Sequence, residues 1–95
     1  MEHQLIETLL AGLIEQLAAV EHARWSHWQR YVHSKGLRQA DGSLFLRADL
    51  ILRWERQIAT RYAELDEQEK ESDREQVRKY LSIIASALSE HFEQN

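Results

Sequence analysis

Two apolar stripes recur at helical spacing in this chain, one towards each end, and both run into charge. At about 100° per residue, Ile6, Leu10, Leu13, Leu17, Val20, Trp28 and Tyr31 share one helical face. Arg24 falls near the centre of that face, with Glu21 beside it. Val77, Tyr80, Leu81, Ile84, Leu88 and Phe92 make the second stripe, which extends backwards into Lys70, Asp73 and Arg74. An inward-pointing guanidinium requires a carboxylate or a bound anion, because an unpaired buried charge is very costly. The pattern therefore predicts a protein whose interior has a charged end, with Arg24 held by Asp73 or Glu21.

Few breakers stand in the way of long helices, since the 95 residues include no proline and three glycines. The first helix is expected from about Glu2 to about His33, with Gly12 tolerated inside it. Leu5, Ile6, Leu9, Leu10, Leu13, Ile14 and Leu17 give its first half a wide apolar band with little elsewhere to cover it. Such a surplus points to self-association, as a homodimer or larger assembly. Gly36 is placed to cap the helix end. Asp41-Gly42 carries a hairpin-type turn signal, followed by a short extended Leu44-Phe45-Leu46.

A shorter helix follows from about Ala48 to Thr60, marked by Leu50, Ile51, Trp54 and Ile58. Asp66 and Glu69 stand in the capping-box arrangement at the head of a last helix, from about Glu67 to His91. The reading is one all-α domain over 1–95, with a long N-terminal, a short middle and a long C-terminal helix. It is expected to assemble as an oligomeric helical bundle, with 1–19 as the oligomerisation segment.

The net charge of −4 conceals an asymmetry: residues 1–23 carry −4, residues 24–61 carry +5, and residues 62–95 carry −5. A basic middle between acidic ends suits an anionic ligand, or merely helices that attract one another. The acidic segments would repel extended nucleic acid. No leader-like segment and no unbroken apolar run of membrane-crossing length is present, so the expected setting is the cytoplasm.

No cysteine is available for a disulfide or a thiolate site. His22 and His27 are five apart, which does not bring two imidazoles to one helical face. Without a metal motif, a nucleophile elbow or a glycine-rich phosphate loop, the chain reads as neither an enzyme nor a cofactor protein. The densest chemistry is Glu21-His22-Ala23-Arg24-Trp25 followed by Trp28. Indoles stack on planar rings, and guanidinium forks onto phosphate or carboxylate. The plainer alternative is that both tryptophans fill the core while Arg24 is held by an internal carboxylate. The second constellation runs from Tyr62 to Arg74, where Lys70, Asp73 and Arg74 continue the inward stripe and could close on Arg24.

Glu21-His22-x-Arg24-Trp25, then Tyr62-x-x-Leu65-x-x-x-Glu69-Lys70-x-x-Asp73-Arg74 with a trailing apolar helix, resembles the prokaryotic ryanodine-receptor repeat (RyR) domain over about residues 20–84. The Gly-Trp-x-x-Gly-like loop usual in that family is replaced here by Asp41-Gly42-Ser43-Leu44-Phe45-Leu46. The resemblance implies binding rather than catalysis: recognition of a nucleotide-derived signal, as a sensor or a sponge in defence-related signalling. On matching positions it implies that His22, Arg24, Trp25, Tyr62, Lys70, Asp73 and Arg74 line or buttress the ligand site. The competing expectation is a helical protein–protein interaction module in which the charged cluster only fixes helix register.

Overall fold

The computed structural model of the chain describes residues 2–93. It is built of helices α1 (His3–Ala11), α2 (Ile14–Ser34), α3 (Ala48–Ala59) and α4 (Glu67–Glu93). Two short strands, β1 (Leu37–Arg38) and β2 (Leu44–Phe45), and a 3-10 turn (Tyr62–Glu64) complete it. The predominantly helical class read from the sequence is the one observed. The chain divides into two compact units: a terminal unit of Met1–Arg24 with Asp73–Asn95, and a central unit of Trp25–Ser72. The divisions fall inside α2 and α4.

The expected first helix is present with one interruption. At Gly12–Leu13 the Leu13 amide bonds the Leu10 carbonyl at 3.0 Å instead of reaching back four residues, which tightens the turn and separates α1 from α2. Gly12 itself keeps a right-handed helical backbone, so the break is a local tightening and not a reversal.

In the terminal unit the half-buried side chains of α1 and α2 are Ile6, Leu9, Leu17 and Val20, around Leu13, which is 8% exposed and the one fully buried apolar residue among those described. On α4 the half-buried line is Gln76, Tyr80, Ile83, Ile84, Ala87, Leu88 and His91. Tyr80 hydrogen-bonds Glu21. The covered residues lie mostly before Glu21 on one arm and after Tyr80 on the other, so the arms face each other only if they run antiparallel. The second stripe is therefore rotated from its expected position. Val77, Leu81 and Phe92 are exposed, and Gln76, Ile83 and Ala87 take their places, because the arm presents only part of its wide apolar arc to one partner helix.

The central unit draws on more kinds of element. Trp28 of α2 stacks on Tyr31 (ring centroids 5.4 Å) and meets the edge of Trp54 of α3 (5.8 Å). Leu50, Ile51, Trp54 and Gln57 form the half-covered face of α3 at helical spacing. The Asp-Gly signal does make a hairpin: Leu37 pairs with Phe45 and Arg38 with Leu44, antiparallel. Asp41 accepts hydrogen bonds from the amide and hydroxyl of Ser43, and Gly42 adopts φ 91°, a conformation that side chains disfavour. Gly36 does not take the left-handed conformation of a helix-capping glycine; Gly42 is the positive-φ residue among those described. Gly36 is needed for space, since a Cβ there would lie 3.1 Å from the Leu44 side chain.

Candidate functional site

Arg24 projects from α2 with its side chain 42% exposed. Its Nε donates to both oxygens of Glu21 at 3.1 Å, and a terminal nitrogen adds a short second contact. Tyr80 donates its hydroxyl to the same carboxylate. Glu21 is thus the hub of a three-residue clasp that ties α2 to α4 within the terminal unit. The Arg24 hydrogen bonds first, and then that of Tyr80, bring the Glu21 carboxyl down from its ordinary 4.5 to about 2. The same carboxylate raises the Arg24 guanidinium further. It also raises the Tyr80 hydroxyl, whose loss of a proton would set two anions together.

This corrects the expectation of a charged interior. No charged or polar residue is fully buried among those described, and Arg24 takes Glu21 rather than Asp73 as its carboxylate partner. The reason is local: Glu21 and Arg24 are one helical turn apart, so the pair closes without help from the fold. Tyr80 was legible as an inward stripe position, but nothing in its spacing marked its hydroxyl for Glu21. His22 is exposed beside the clasp, Asp73 is exposed on α4, and Arg74 is half-buried there.

The remaining expected site residues belong to the central unit. Trp25 is 53% exposed, and Trp28, although it touches Tyr31 and Trp54, remains 42% exposed, so neither is the core filler that one reading anticipated. Tyr62, on the 3-10 turn, lies beneath the Lys70 ammonium, 5.9 Å from ring centroid to Nζ. Lys70 is 18% exposed and sits 3.9 Å from a Glu67 oxygen. Tyr62 and Lys70 are therefore brought together within the central unit.

The capping box is half made. The Glu69 amide donates to Asp66 Oδ1 at 2.8 Å, while Arg56 of α3 reaches the Glu69 carboxylate at 3.3 Å. That amide bond, the largest influence, lowers the Asp66 carboxyl below its usual range.

Among the described residues, no group of three His, Asp or Glu side chains is placed to hold a metal ion. None of the described helices is long and apolar enough to cross a membrane. The arrangement offers hydrogen-bond donors and aromatic faces, which suit recognition. Comparison of the chain with family models, with curated proteins and with solved structures finds no match.

Proposed function

We propose that this chain is a non-enzymatic helical interaction module that presents apolar side chains to a protein partner. The observation that carries this reading is the imbalance of burial: among the described residues one apolar residue is buried, while thirteen large ones are exposed. In the central unit these include Leu37 and Phe45, which stand opposite each other in the hairpin and so share a face, and Leu52 and Ile58 on α3. Scattered exposed apolar residues are ordinary, whereas Leu37 and Phe45 lie side by side on one face of the hairpin and offer a contiguous apolar contact. The Glu21–Arg24–Tyr80 clasp then acts as the register device between arms.

The test is a photo-crosslinking amino acid at position 45, with position 41 in the turn as the control, in the intact chain expressed in its native cytoplasm. A defined protein adduct at 45 and none at 41 is expected. Equal labelling at both, or none at 45, defeats the reading.

A second reading is favoured by one specific observation, the Lys70 ammonium over the Tyr62 ring beside a basic stretch. It is the sensing or sequestering of a nucleotide-derived anion in defence-related signalling, as the RyR resemblance implies. In it Lys70 meets phosphate and Tyr62 stacks on a base, both within the central unit. Cyclic dinucleotides, ADP-ribose derivatives and mononucleotides serve as probes in thermal shift. A ligand at a hundred times its dissociation constant stabilises by about 2.7 kcal/mol. Unchanged melting with all three classes removes this reading.

A further inference from the structure

We propose that the terminal unit carries a second, unpartnered apolar face on which another copy of this chain docks to complete a four-helix bundle. This goes beyond the reading above, whose test at position 45 lies in the central unit while the face argued below lies in the terminal unit, so either can fail alone.

The argument rests on rotational sense. Each helical residue advances about 100°. On α4, Val77, Leu81 and Phe92 lie roughly a quarter-turn further round than the mean direction of the line Gln76, Tyr80, Ile83, Ile84, Ala87, Leu88 and His91 that faces the first arm. On α1 and α2, Leu10 and Ile14 are displaced by a similar amount, in the same sense, from the line Ile6, Leu9, Leu13, Leu17 and Val20. In an antiparallel pair of right-handed helices, equal displacements on the two partners fall on the same side of the pair. The five side chains therefore form one face.

The Glu21–Tyr80 contact also fixes their level. Counting outwards equally from those two residues brings Leu10 level with His91 and Ile14 level with Ala87, one residue short of Phe92 and Leu88. Leu5 sits on the opposite flank and takes no part.

The occupant follows from area and from self-complementarity. The five side chains are exposed by between 39% (Leu10) and 62% (Phe92). Together they offer about 500 Å² of accessible surface, so a two-fold pair covers about 1,000 Å², the threshold of a specific interface. A two-fold axis needs one patch that matches itself, and a two-helix apolar face meets that requirement: two such faces packed together reproduce the ordinary four-helix core.

The experiment is sedimentation equilibrium on the intact chain, with far-UV circular dichroism to verify helicity. The wild type is expected at twice the 11.3 kDa chain mass. Leu81→Glu, and separately Ile14→Lys on the other arm, are each expected to weaken association by about 100-fold or more while the helical signal is kept. Ser82→Glu, on the far side of α4, should leave the mass unchanged. A monomeric wild type overturns the proposal. So does an assembly that survives both face substitutions, or one that Ser82→Glu disrupts as strongly as they do. If Leu81→Glu unfolds the chain, Ile14→Lys and the wild-type mass still decide the matter.

Discussion

The two units of this chain solve the problem of burial differently. The central unit gathers the end of α2, a hairpin, α3, a 3-10 turn and the start of α4 around an aromatic contact of Trp28, Tyr31 and Trp54. The terminal unit has only helical arms, one fully buried leucine and a polar clasp. Several elements meet there from different directions and bring aromatic rings together, yet Leu37, Phe45, Leu52 and Ile58 stay exposed. Two helices side by side share a single seam and leave most of each apolar arc unused. Helices gain most of their stability from such tertiary packing, and both units leave large apolar side chains exposed for an external surface to cover.

The largest expected effect lies in the central unit. Trp54→Ala removes the indole that Trp28 packs against and should cost about 3 kcal/mol, read from urea denaturation. A loss no greater than that of an exposed substitution would show that the aromatic contact does not organise the unit. In the terminal unit, Leu13→Ala should cost about 2 kcal/mol, because a seam this thin closes readily over a small cavity. If it costs more than Trp54→Ala, the contrast between the units is reversed.

Asp66→Ala, which deprives the Glu69 amide of its acceptor at the head of α4, should lower the urea midpoint by a smaller amount without altering the slope. The smallest effect is a pH dependence. Glu21 has a folded pKa near 2 against an ordinary 4.5. Its contribution is therefore complete above about 4.5 and disappears as the pH falls through about 2. Melting followed across that window should be flatter in Glu21→Gln than in the parent, and the difference should shrink with added salt because the group is exposed. Identical acid slopes would mean that the clasp does not stabilise the fold.

Much of this architecture could be read from residues. The absence of proline and the three- and four-residue spacing gave the helices, Asp41-Gly42 gave the turn, and Asp66 gave the start of α4. What escaped was rotation and partnership. An apolar arc as wide as that of α4 does not say which half meets a neighbour, so Val77 and Leu81 were indistinguishable from Ile83 and Ala87 before the arms were placed. The break after Ala11 depends on a tightened bond at Leu13 that Gly12 permits without requiring. For the candidate site, Tyr62 and Lys70 meet within the central unit, whereas the apolar spacing had turned Lys70 towards Arg24. Glu21 was one of the two carboxylates expected for Arg24; what spacing alone did not show is that the pair closes on the exposed side of the helix.

All three tryptophans, Trp25, Trp28 and Trp54, fall within residues 25–72. Indole emission therefore samples one half of the molecule, while the far-ultraviolet signal averages every helix. A chain that melts as one cooperative body must show the same midpoint through both optical windows. Separate midpoints would reveal which half lets go first, with no label attached.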